Sequence, residues 1–165
     1  MDNEREQQIV KTDGSNAWYT EEFIYESVIK YLNENGYRIH KEDAEVVERK
    51  ERIIIASRYF TKEIIHVKGL PHESNRTKLL KAVASNVYPS SSILATFTDT
   101  IFNSLINFGK FYSDENSDLA MALPDSDRYK SIIVRLSEYF SANDLSLKIY
   151  LVNESGDVAV SNLNE

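Results

Sequence analysis

The part of this chain best furnished for chemistry is His66-Val67-Lys68, which closes the apolar run EIIHVKG over residues 63–69. Residues two apart on a strand point to the same face, so the imidazole and the ammonium leave the sheet together while Val67 faces the other way. A lysine beside a metal ligand at a strand end can steady an attacking water or the charge that builds on a phosphoryl group. That chemistry asks for a carboxylate in the first position, because Mg²⁺ prefers hard oxygen ligands in octahedral array. This chain places a histidine there. The pair is therefore a candidate phosphodiester-cleaving site short of a carboxylate ligand, with Lys68 and His66 as the candidate catalytic residues.

Two carboxylates are placed to compensate. Glu51 lies two residues before Ile53 and shares its strand face, and Glu26, with Glu22, lies on a helix that can lean over the sheet. Glu51, Glu26 and His66 together would suit Mn²⁺ or another imidazole-tolerant ion, and Mg²⁺ less well. Glu63 faces away from His66 and does not join that set. The basic residues between 64 and 112 are Lys68, Arg76, Lys78, Lys81 and Lys110, against Glu73 and Asp99, so this stretch is locally positive. Arg76, Lys78 and Lys81 are the nucleic-acid-binding candidates. The formal net charge of −7 counts against a general attraction to phosphate.

Other chemistries fall away on residue type and spacing. His40 and His72 lack the close helical spacing of a zinc hydrolase, Ser90, Ser91 and Ser92 suit helix capping and not a nucleophile elbow, and the five glycines are scattered singly, which excludes a glycine-rich phosphate loop. The absence of cysteine removes disulfides and thiolate metal sites. Most tyrosines and phenylalanines fall on helical stripes and read as core. Tyr59, Phe60 and Tyr88 do not, and stand as candidate stacking platforms for single strands.

The elements that must hold these residues follow from capping and period. Thr20 caps a first helix, Glu21 and Glu22 suit its positive end, Ile24, Val28, Tyr31 and Leu32 form its buried face, and Gly36 stops it. Tyr37 to His40 reads as a short strand, and the charged run Lys41 to Arg52 follows. Ile53 to Ser57 and Glu63 to Lys68 are β-branched strands joined closely enough for an antiparallel hairpin. After a long polar segment with a short helix expected from Asn75 to Ala84, the stripe Leu94, Phe97, Ile101, Leu105 and Phe108 predicts a second long helix closed by Gly109. Leu119 to Leu123 is a strand covered on both faces; Asp125 or Ser126 caps a helix buried through Tyr129, Ile132, Ile133, Leu136 and Phe140. Leu147 to Val152, a turn at Glu154 to Asp157, and Val158 to Val160 predict a C-terminal hairpin.

This order, with the phrases EFIYESVIKYLNENGYRIHK, RIIIASR, EIIHVKGLP, LAMALPDSDRYKSII and LKIYLVNESGDV, resembles bacterial members of the PD-(D/E)-x-K nuclease superfamily over roughly residues 20–160. The resemblance implies an α/β (α+β) fold with a mixed central sheet flanked by helices, a restriction-endonuclease-like core ending in that hairpin. It also implies an aspartate opening the second strand and a carboxylate-x-lysine on the third, with Mg²⁺ or Mn²⁺ as cofactor. Ile53 and His66 stand where those carboxylates belong, and Lys68 and Gly69 remain.

At 165 residues the chain suits one domain, expected over 19–162, behind a flexible N-terminus over 1–18. Its hydrophobic content of 42% and charged content of 27% belong to a soluble protein, and the charged opening MDNEREQQIVKTDG is no secretory signal, so a cytoplasmic setting without a membrane partner is expected. The functional expectation is a nuclease-derived domain without cleavage activity or cofactor, retaining a role in binding DNA or in scaffolding. Two alternatives stand beside it: an active Mg²⁺- or Mn²⁺-dependent DNA endonuclease with a migrated carboxylate, and an acidic protein-interaction module that forms a homodimer.

Overall fold

The computed structural model of the chain describes residues 20–40, 52–70, 95, 97–102, 105, 116–143 and 146–163. Helix α1 (Glu21–Glu34) starts where the Thr20 side chain accepts the Phe23 amide at 3.3 Å, with Glu21 and Glu22 in the first turn. It ends in a Schellman arrangement: Gly36 takes φ +75°, its amide donates to the Asn33 carbonyl and the Tyr37 amide to the Leu32 carbonyl. A side chain is disfavoured at that φ, which is why glycine marks this exit. The exit delivers Tyr37 directly to the sheet.

Six strands follow: β1 (Arg38–His40), β2 (Arg52–Arg58), β3 (Thr61–Val67), β4 (Ser117–Pro124), β5 (Lys148–Val152) and β6 (Val158–Asn162). They lie side by side in chain order in one sheet. The pairings β1–β2, β2–β3 and β5–β6 are antiparallel, while β3–β4 and β4–β5 are parallel. The parallel strands are the buried centre, as their near-continuous apolar sequence requires. Helix α2 (Asp127–Ala142) makes the crossover from β4 to β5, its Ser126 cap accepting the Tyr129 amide at 3.3 Å.

Side-chain size on β4 sets the two layers. Ala120 and Ala122 point toward α1 and let Ile24, Val28 and Leu32 approach the sheet, packing also on Ile54, Ile65, Val67, Tyr150 and Val152. Leu119, Met121 and Leu123 point the other way and fill the space under Phe97, Tyr129 and Ile133. Ile53, Ile55 and Ile64 continue that second face toward β2. The fold is thus α+β, with a mixed sheet between α1 on one face and α2 with helical residues near 97–102 on the other.

The expected elements at Thr20–Leu32, Ile53–Ser57, Glu63–Lys68, Leu119–Leu123 and Leu147–Val152 are present within a residue or two. Along the stripe of the second long helix Phe97 is buried and Ile101 packs on the core, while Leu105 is exposed. The expected helix over 75–84, with Leu94, Phe108 and the proposed N-terminal tail, lies outside the described residues. Among the described residues no helix is long and apolar enough to cross a membrane.

Candidate functional site

The two ends of α1 divide the polar groups of its sheet face into two sites. At the N-terminal end lie the residues singled out by sequence. Lys68, one position beyond β3, pairs with Glu21 on the first turn of α1 at 3.4 Å, and its amide donates to the Ala122 carbonyl at 2.9 Å. Beside it Arg52 pairs with Glu22 and rests over the Tyr25 ring, its guanidinium carbon 5.5 Å from the centroid. Both ion pairs are partly exposed, so each adds little to stability.

His66 has different surroundings. Its neighbours across the sheet are Ile53 on β2 and Met121 on β4, and it lies on the face turned away from α1. It is 3% exposed, and its Nε2 has no hydrogen-bond partner. Burial, with a smaller contribution from the Lys68 charge, lowers its pKa from 6.5 to about 4. The imidazole is neutral at pH 7. His66 and Lys68 are near enough for the ammonium to disfavour imidazolium, but the imidazole is buried beside Ile53 and Met121 while the ammonium reaches the opening helix.

Position 53 offers an isoleucine and position 66 a buried imidazole, where a hard cation needs several oxygens. Glu26 is exposed on α1, and Glu51 lies outside the described residues, as do Arg76, Lys78 and Lys81. Among the described residues no three His, Asp or Glu side chains gather where one ion could be held.

The second site, at the C-terminal end of α1, was not anticipated. Glu63 is 2% exposed although it is a carboxylate. Its Oε1 accepts from Tyr37 Oη at 3.1 Å and from Lys148 Nζ, and its Oε2 accepts from Tyr150 Oη. Three donors, two from β5 and one from the connection between α1 and β1, thus replace the water lost on burial. Burial works against the Lys148 charge, but the hydrogen bond and attraction of Glu63 outweigh it and leave the ammonium above the ordinary lysine pKa. For the Tyr150 hydroxyl, burial and the bond to Glu63 both raise the pKa, so it stays a donor.

An open cleft of about 390 Å³ adjoins this network, lined by Tyr37, Arg58, Tyr59, Thr61, Glu63, Asp118 and Lys148. Asp118 is exposed and lies directly across from Glu63 in the β3–β4 register. Arg58 sits between two rings, its guanidinium carbon 5.5 Å from the Tyr37 centroid and 5.2 Å from that of Tyr59. A sequence signal for the network existed: Glu63 is the one carboxylate inside the apolar run of β3, and Lys148 and Tyr150 sit two apart on a strand otherwise apolar. Nothing in the sequence pairs them, because 85 and 87 residues separate the partners.

Comparison of the chain with family models, with curated proteins and with solved structures gives no match.

Proposed function

We propose that this chain is a restriction-endonuclease-like domain of the PD-(D/E)-x-K kind that has given up metal-dependent cleavage and works by binding nucleic acid, as a recognition or scaffolding module in the cytoplasm. The observation that carries the reading is His66: a neutral imidazole flanked by Ile53 and Met121 stands where cleavage would need a charged oxygen ligand. Lys68, the group that would act on the phosphoryl charge, is instead engaged by Glu21. The order of one helix, three antiparallel strands, a parallel fourth strand and a helical crossover supports the assignment of the core, and the antiparallel β5–β6 pair supports its closing hairpin.

The test is an assay of DNA and RNA cleavage with Mg²⁺ and with Mn²⁺, run beside nucleic-acid binding as salt is varied. We expect no cleavage, and binding that weakens with salt. Metal-dependent cleavage that disappears in Lys68→Ala overturns the reading and points to an active endonuclease with a displaced carboxylate. The net charge of −7 favours a second reading, an acidic protein-interaction or dimerisation module. A salt-independent failure to bind DNA or RNA, with a dimer in solution, selects it.

A further inference from the structure

The two-residue turn between β2 and β3 is built from side chains its fold does not call for. Tyr59 takes φ +56°, a conformation that glycine and asparagine adopt far more readily than an aromatic residue. Tyr59 is nonetheless 86% exposed and Phe60 is 93% exposed, so neither ring contributes to the core. Two adjacent bare rings on a strained turn are costly for the folded chain and ask for a ligand. Tyr59 is held on one side by the Arg58 guanidinium, which Tyr37 backs in turn, and its exposure leaves the other side open.

We propose that the cleft beside this turn takes a single unpaired nucleobase from a DNA or RNA strand, stacked against Tyr59, with Phe60 as the platform for the adjoining base. The inference rests on the nucleic-acid-binding reading above and gives it a location. A fixed aromatic face is sequence-tolerant, because every base has a π-face, and a ring already held by Arg58 loses little freedom on stacking. Polar groups lie where the base edge would reach: Thr61, the Asp118 carboxylate and the Lys148 ammonium line the same cleft. A carboxylate accepts hydrogen bonds and cannot donate them, so Asp118 favours bases with N–H groups on the pairing edge, guanine above all. Cations flank the tip on both faces of the sheet. Arg58 lies on the α1 face, while Arg38, Ser57 and Lys62 form one cross-strand row on the other. This gives a strand's phosphates a path past the turn. An anionic membrane would also meet aromatics and cations, but it has no use for the hydrogen-bonding cleft.

The test measures binding of labelled oligothymidylates about ten nucleotides long, plain or carrying one central guanine, as DNA and as RNA, by fluorescence anisotropy at low and high salt. The full chain is compared with the double variant Tyr59→Asn/Phe60→Ser, with Asp118→Asn, and with Tyr139→Ser, an exposed aromatic on α2 remote from the cleft. We expect the double variant to bind about tenfold or more weakly while its melting temperature holds or rises, since asparagine relieves the turn. Asp118→Asn should lose the preference for the guanine-bearing strand, and Tyr139→Ser should bind as the parent does. A parent that binds and a double variant that binds equally well overturn the cleft and leave the nucleic-acid reading intact. No binding at low salt overturns both. A double variant whose melting temperature falls assigns the rings to folding, and one that loses binding to phosphatidylserine vesicles but not to oligonucleotides assigns them to a membrane; either overturns the proposal.

Discussion

Lys148 and Glu63 form an ion pair across a strand that belongs to neither of them. Lys148 is on β5 and Glu63 on β3, and β4 runs between, with Ala120 as the register partner of Lys148 and Asp118 as that of Glu63. The carboxylate is nearly inaccessible and the ammonium mostly covered, so neither can exchange its partner for water. Glu63→Ala leaves an uncompensated cation, the buried Tyr150 hydroxyl and the half-buried Tyr37 hydroxyl, and should cost about 3 kcal/mol. Glu63→Gln, which keeps an acceptor for the tyrosines, should cost less. Denaturant unfolding of both variants at pH 7 checks the order; equal and negligible losses would show that the network carries no stability.

Ala120 is small because the pair passes over it and α1 rests beside it. Ala120→Leu adds volume under both. The variant should lose about 2 kcal/mol or more, against under about 1 kcal/mol for an exposed change such as Val134→Ala on α2. Thermal melts of the two decide it, and an Ala120→Leu protein as stable as the parent would mean that the space above β4 is unfilled.

His66 makes stability depend on pH in a defined window. Its folded pKa of about 4 lies below the ordinary 6.5, so as pH falls the unfolded chain takes up this proton first. The contribution is therefore complete above pH 6.5, shrinks between 6.5 and 4, and is level below. The loss amounts to about 3 kcal/mol over the window. His66→Leu removes both the titration and the orphaned Nε2, and should flatten this limb relative to the parent. Unfolding free energies at half-unit pH intervals would show it, and parallel curves for the two proteins would refute it.

Gly156 closes the turn between β5 and β6 at φ +82°, where a Cβ would stand 3.2 Å from Ser27 Oγ and 3.6 Å from Phe23 Cζ. Gly156→Ala combines an unfavourable conformation with pressure on α1, and should cost about 1–2 kcal/mol. The same change at Gly36, which has φ +75° but open space around it, should cost only the conformational part. The difference between the two melting temperatures measures the contact with α1.

Much of the fold was legible because local chemistry decides it. Thr20 caps α1 as its sequence predicts, Ser126 is the cap of the two candidates Asp125 and Ser126, Gly36 ends α1, and the β-branched runs at Ile53 and Ile64 are strands. The layering was less so. Ala120 and Ala122 look merely apolar in sequence, and their role appears only when α1 is laid against them. The site was the least legible part. The strand spacing of His66 and Lys68 singles out that pair, while Glu63, three residues before His66, gathers Tyr37, Lys148 and Tyr150 from distant segments. Period-2 alternation correctly put Glu63 opposite His66 but could not say what lay across the sheet from it.

The bridge over β4 also governs how the molecule can assemble. β3 and β5 never touch as strands, so the carboxylate and the ammonium meet only after β4 has been inserted between them in the right frame. A frame error of one residue would swing Leu119 or Met121 beneath the pair and leave a carboxylate stranded in hydrocarbon. The four polar groups thereby favour the same frame of β4 that Ala120 and Ala122 require beneath α1.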